Sequence, residues 1–150
     1  MFILVIKQGK VKRFINIFKT DLIMPAGKKV LLDTNFLLIP GQLGVDIFNE
    51  LERLGFSLNK VKILDKTLKE LEKIVETQKG KAKQSAMLAK SLIKAKNVEI
   101  LPTKGSDYVD ELLIELKDKY IIATQDKDLK TKLKNIIVLR QKKYLQLIEG

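Results

Sequence analysis

Five short apolar runs set the strongest constraint on the fold of this chain. They are Val30 to Leu32 in KKVLLDTN, KVKILD from Lys60 to Asp65, VEILP from Val98 to Pro102, Tyr120 to Thr124, and Ile136 to Leu139. Most are apolar throughout rather than alternating. Such a run is the mark of a strand buried on both faces, and so of a parallel sheet covered by helices on each side. The intervening segments carry apolar residues at helical spacing. Val45, Ile47, Phe48, Leu51 and Leu54 form one set, closed by Gly55. Leu68, Leu71, Ile74 and Val75 form another, opened by Asp65-Lys66-Thr67 with Asp65 or Thr67 as its cap. A third helix is expected over 81–96 and a fourth within DYVDELLIELKDK, capped by Ser106 or Asp107. A short one is expected from Gln125 to about Leu133. Strands alternating with helices give an α/β sandwich around a mainly parallel sheet of about five strands.

The 150 residues suffice for one domain with its own core. Residues 1–28 read as a basic N-terminal extension, in which Lys7, Lys10, Lys12, Arg13, Lys19 and Lys28 face only Asp21. A short strand and an amphipathic helix are expected there, before Met24-Pro25-Ala26-Gly27 breaks the pattern. The α/β domain itself is expected over 29–150, with Met24 an alternative start of the natural chain. MFILVI is too short for a signal core, and no apolar run approaches the roughly 18 residues of a membrane span. With no cysteine, a cytoplasmic location is expected.

Two absences narrow the chemistry. Without cysteine or histidine, thiolate nucleophiles, Ser-His-Asp triads and zinc sites built on sulfur or imidazole are excluded. A bound metal would need oxygen ligands, which selects Mg²⁺ or Mn²⁺. Ligands of an open parallel sheet bind outside the carboxyl ends of its strands. Asp33 ends the first strand, Asp126 follows YIIAT, Glu70 lies in the first turns of the helix after KVKILD, and Asp107 and Asp110 lie at the start of the helix before YIIAT. Singly, each has an ordinary reading as a cap or a solvated helix residue. Together, carboxylates from four segments at one edge would repel one another unless a cation neutralised them. A hard cation held by carboxylates and water supports phosphodiester hydrolysis. Thr34, Asn35 and Thr124 are suited to orienting those carboxylates, although the threonines also suit strands.

The ordered set LLDTN, KELEKI, DYVDELL and IIATQDKDL resembles the PIN-domain nucleases. The resemblance covers about residues 29–150 and implies a three-layer α/β/α sandwich. It also implies that Asp33, Glu70, Asp110 and Asp126 are the metal-binding catalytic residues, with Asp107 competing with Asp110 for the third position. LLDTNFLLIPGQLGVDIFNELERL, ATQDKDLKTKLK and VLRQKKYL are most similar to the FCF-type branch of archaea and eukaryotes, associated with ribosomal RNA processing. Toxin members of toxin–antitoxin pairs share the acidic set. Gly41 to Gly44 is expected to be a loop before the first long helix, either a plain turn or a phosphate contact at that helix's N-terminus.

The net charge of +11 is segregated into blocks. Residues 78–96 and 127–150 are basic, whereas 30–77 and 97–126, which carry the acidic set, are net negative. A basic rim holding phosphates around a metal floor is the reading these blocks support, with Lys81, Lys83, Lys127, Lys130 and Lys142 as RNA-binding candidates. The expected function is an endoribonuclease dependent on Mg²⁺ or Mn²⁺, acting in ribosomal RNA processing. RNA, a second copy of the chain and ribosome-assembly proteins are the expected partners. A non-catalytic RNA-binding module and a toxin-type ribonuclease are the alternatives.

Overall fold

The computed structural model describes residues 27–105 and 108–150. The readings made for residues 1–26, and those for Ser106 and Asp107, lie outside the described residues. Six strands form one sheet in the order β3-β2-β1-β4-β5-β6. They are β1 (Lys29–Leu32), β2 (Val61–Leu64), β3 (Glu99–Leu101), β4 (Tyr120–Ala123), β5 (Ile136–Arg140) and β6 (Tyr144–Ile148). The first five run parallel, and β6 pairs antiparallel with β5. The chain therefore builds outward from β1 to β3, then returns to the middle to lay β4 beside β1. That reversal opens a crevice at the carboxyl ends of β1 and β4.

Both faces of the central strands are buried, as uninterrupted apolar runs require. Val30 and Leu32 of β1, Val61 and Ile63 of β2, and Ile121 and Ala123 of β4 join the larger core. Leu31, Leu64 and Ile122 point the other way, into a smaller core with Val109, Leu112, Leu113 and Leu129. Each such leucine or isoleucine contributes roughly 1.5–3 kcal/mol when fully buried. The helices are α1 (Thr34–Leu37), α2 (Ile39–Leu43), α3 (Ile47–Arg53), α4 (Asp65–Thr77), α5 (Gly80–Ala95), α6 (Val109–Glu115) and α7 (Lys127–Lys130). Buried residues of α1 to α5 pack into the larger core; those of α6 and α7 form the smaller one. The result is the expected three-layer sandwich.

Four local expectations need correction. The stretch after β1 is two short helices rather than a loop. In α2, Gly41 lies so close to α5 that a Cβ there would stand 2.6 Å from the Ser85 Cα, an approach that only glycine permits. The N-terminus of α3 is capped by the Asp46 carboxylate, which accepts from Asn49 N–H at 3.0 Å. That anionic cap takes one of the donors that a phosphate would use and sets a like charge beside the rest. At α4, Leu64 is the N-cap and Asp65 is the first helical residue, its side chain engaged elsewhere. Finally, β6 is a sixth strand beyond the expected five. Its hairpin turn uses Gln141 and Lys142, both at positive φ (53° and 55°). Asparagine and glycine are the residues that normally announce such a turn. The outer edge of β6 is closed by α3: Leu145 N–H donates to Glu50 Oε1 at 2.9 Å, and Arg53 donates to the Leu145 carbonyl at 2.7 Å.

Candidate active site at the carboxyl ends of the central strands

Asp33 follows β1 directly, and its backbone N–H donates to the Ala123 carbonyl at 2.9 Å, tying the ends of β1 and β4 together. The residue is only 4% exposed. One oxygen accepts from Thr34 N–H at 2.7 Å, and the other accepts from the Thr124 hydroxyl at 2.7 Å. Both donors are neutral. Burial is the main reason its pKa rises from 3.8 to about 6; the two hydrogen bonds oppose that rise, and the Asp110 and Glu70 carboxylates add to it.

Glu70 enters from the second turn of α4. The Thr34 hydroxyl donates to its Oε1, so the residue next to Asp33 holds the second carboxylate in place. Asp126 enters from the segment after β4 and caps α7, accepting from Asp128 N–H at 2.9 Å and Leu129 N–H at 3.1 Å. Asp126 N–H in turn donates to the Thr124 hydroxyl at 3.1 Å. Thr124, fully buried, thus links Asp33 to Asp126 through a single oxygen. Asp110 lies in the first turn of α6. Partial burial and the nearby Asp126 push its pKa up, while Lys132 opposes the shift.

The four carboxylates form a row in which Asp33 senses Glu70 and Asp110, and Asp110 senses Asp126. Asp107 lies outside the described residues. Among the described residues, no group of three carboxylates stands ready to enclose one ion. Of the supporting residues, Thr34 and Thr124 bond directly to the row. Asn35 lies beside it, its side-chain carbonyl accepting from Gln125 N–H at 3.5 Å.

Two contributors were missed by sequence reasoning. The Gln125 side-chain carbonyl accepts from Leu139 N–H at 2.9 Å, extending the link between β4 and β5 past the end of β4. That bond steadies the segment carrying Asp126. Asp65, read as a cap, instead holds the loop after β3. It accepts from the Thr103 hydroxyl at 2.5 Å and from Thr103 N–H at 3.2 Å, and these bonds with Lys66 N–H hold its pKa low. Neither role leaves a sequence signal beyond a polar residue at a strand end.

The candidate lysines fall in three places. Lys127 and Lys130 belong to α7, immediately after Asp126, with Lys127 exposed and Lys130 half-buried. Lys81 and Lys83 are exposed on the first turn of α5. Lys142, at the tip of the β5–β6 hairpin, lines a shallow cleft with Lys143, Asp46, Asn49 and Glu50.

With this geometry in view, the family described as PIN like domain matches residues 30–142. The chain belongs to the PIN domain nuclease family. Ribonuclease VapC4 of Methanocaldococcus jannaschii is 30% identical over 126 residues, covering 79% of this chain and 95% of that protein. Ribonuclease VapC9 of Archaeoglobus fulgidus is 34% identical over 105 residues, covering 69% of this chain and 73% of its own length. Among solved structures, the PIN domain endonuclease Utp24 superposes with a TM-score of 0.64 at 23% identity, covering 81% of this chain and 92% of the other. At that identity the likeness is one of fold. No helix among the described residues is long and apolar enough to cross a membrane.

PIN domain nucleases generally use divalent metals such as Mg²⁺ or Mn²⁺. The donor set of this PIN domain fits such an ion chemically. Every candidate ligand is a carboxylate oxygen, and Asp33 is a buried carboxylate with neutral donors and like-charged neighbours. Mg²⁺ keeps several waters and is held by one or two carboxylates, so it does not require three to converge.

Proposed function

We propose that this PIN domain is an endoribonuclease that hydrolyses RNA phosphodiesters with the help of Mg²⁺ or Mn²⁺. The observation that carries the reading is the row Glu70, Asp33, Asp110 and Asp126 at the carboxyl ends of β1 and β4, with its buried member held by neutral donors. In this reading Asp33 and its neighbours in the row hold the ion, with Asp107 an alternative to Asp110. When bound, the ion would activate water and stabilise the charge developing on the leaving oxygen. Thr34 fixes Glu70, Thr124 fixes both Asp33 and the backbone of Asp126, and Asn35 steadies the neighbouring strand end. These neutral groups orient the carboxylates without neutralising them. Lys127 and Lys130 next to Asp126, with Lys81, Lys83 and Lys142 farther out, hold the phosphate backbone.

The RNA substrate is supported by the two relatives named as ribonucleases. Processing of a ribosomal RNA precursor, in company with ribosome-assembly proteins, is supported by the resemblance of the opening segment and of ATQDKDLKTKLK to the FCF-type branch.

The test incubates single-stranded and structured RNA with the wild-type protein and with Asp33→Asn and Asp126→Asn, in Mn²⁺ and in EDTA. Cleavage by wild type alone, abolished by EDTA, is expected. Equal cleavage by all three proteins would overturn the reading. Salt-sensitive RNA binding with no cleavage under any metal condition would point to the non-catalytic module. Growth arrest on expression would identify a toxin-type ribonuclease rather than a ribosomal RNA processing enzyme.

A further inference from the structure

Three cations lie near Asp126: Lys127 and Lys130 follow it on α7, and the Gln125–Leu139 bond at 2.9 Å brings the end of β5, with Arg140, to the start of that helix. Lys127 and Lys130 are three residues apart on α7 and so are neighbours on its surface. Arg140, at the end of β5, comes close enough for its charge to be felt at Lys130. Lys130 is half-buried, and its pKa is pushed down first by that burial and then by Arg140 and Lys127, with Asp126 opposing. Arg140 is held in place: its Nε–H donates to the Gln146 Oε1 at 2.8 Å across the β5–β6 pair. That bond fixes the guanidinium plane and leaves the terminal N–H groups to other acceptors. The hairpin turn that follows holds Gln141 and Lys142 at positive φ, a conformation that favours glycine or asparagine. α7 is in turn anchored by the Asp126 carboxylate itself.

We propose that Lys127, Lys130 and Arg140 form a phosphate-binding subsite that takes an RNA phosphate neighbouring the one presented to the carboxylate row. A monoanionic phosphodiester set between the three cations relieves their mutual repulsion, and the guanidinium fork matches phosphate geometry. The subsite lies on the β4–β5 side of the carboxylates. The proposal rests on the ribonuclease reading, since it names where that substrate's backbone is held.

The experiment measures binding of a labelled oligouridylate by fluorescence anisotropy, in EDTA so that the strand stays intact, over a series of KCl concentrations. The full-length wild-type protein is compared with Arg140→Gln, Lys130→Gln and Arg140→Lys. Lys119→Gln, near the amino end of β4, serves as the control. Removing one phosphate contact reduces the slope of log K against log salt by about 0.7 for a single strand. It also weakens low-salt binding about tenfold. Arg140→Gln and Lys130→Gln are each expected to show both changes, whereas Arg140→Lys and Lys119→Gln keep the wild-type slope. Unchanged slopes in both glutamine variants, with circular dichroism confirming that they are folded, would overturn the proposal. Binding is read on uncut RNA without metal. Failure here therefore leaves the Asp33→Asn cleavage test standing, and failure of cleavage leaves the slopes measurable.

Discussion

Replacing Asp33 by asparagine should stabilise the metal-free protein above neutral pH. Asp33 is buried and its pKa is raised from 3.8 to about 6. A carboxyl group with a raised folded-state pKa contributes its full stability below the unfolded pKa, and that contribution is lost as pH rises through the folded pKa. For Asp33 the loss runs from about pH 4 to somewhat above 6. Two pKa units amount to about 3 kcal/mol of ionisation cost at pH 8 in the absence of a cation. Asparagine escapes that cost. Its carbonyl oxygen still accepts from Thr34 N–H, but its amide cannot accept from the Thr124 hydroxyl, a loss of about 1 kcal/mol. The net gain is about 2 kcal/mol, or roughly 6 °C in Tm for a chain of this size.

Thermal and urea denaturation of both proteins in EDTA at pH 4 and pH 8 would measure the difference. It should be near zero or slightly unfavourable at pH 4, and favourable to asparagine at pH 8. A variant that is less stable than wild type at pH 8, or whose difference does not change with pH, would refute the electrostatic account of Asp33. Under the proposed function, the variant that gains stability is the one that loses cleavage.

Two further perturbations probe the supports of the site. Thr124→Val removes the hydroxyl that donates to Asp33 and accepts from Asp126 N–H, in a fully buried position. A loss of about 2 kcal/mol is expected in urea denaturation at pH 8, with a smaller loss at pH 4, where Asp33 is neutral. In the β5–β6 hairpin, the double substitution Gln141→Asn with Lys142→Gly suits both positive-φ positions and should raise stability by about 1 kcal/mol, read as a higher urea midpoint at unchanged slope.

The family was legible in the sequence because its evidence is local. Val30 to Leu32, Tyr120 to Ala123 and Ile136 to Leu139 are apolar apart from the Tyr120 hydroxyl, as strands buried on both faces require, and a parallel sheet follows; β2 departs from the pattern at Lys62, whose buried ammonium pairs with Glu99. The order of Asp33, Glu70, Asp110 and Asp126 along the chain could be read without knowing any distance. Thr34, Asn35 and Thr124 were recognisable as polar residues beside those carboxylates. β6 escaped notice because its turn lacks glycine or asparagine, and the tertiary pairing with β5 imposes the positive φ that Gln141 and Lys142 adopt. The Asp65–Thr103 and Gln125–Leu139 bonds escaped for a related reason: each joins segments distant in sequence, and no local pattern encodes its partner.

The sequence by itself determined the fold class and the kind of chemistry open to this protein, since strand burial is written in apolar runs and the lack of cysteine and histidine leaves oxygen ligands. The tertiary structure decided how those ligands are held. Only the return of the chain to lay β4 beside β1 brings Thr124 to Asp33, buries that carboxylate and raises its pKa to about 6. Only the pairing of β5 beside β4, extended by the Gln125–Leu139 bond, brings Arg140 to the segment that carries Asp126, Lys127 and Lys130. Burial and charge proximity arise from contacts between distant segments, so they exist only once the chain has folded.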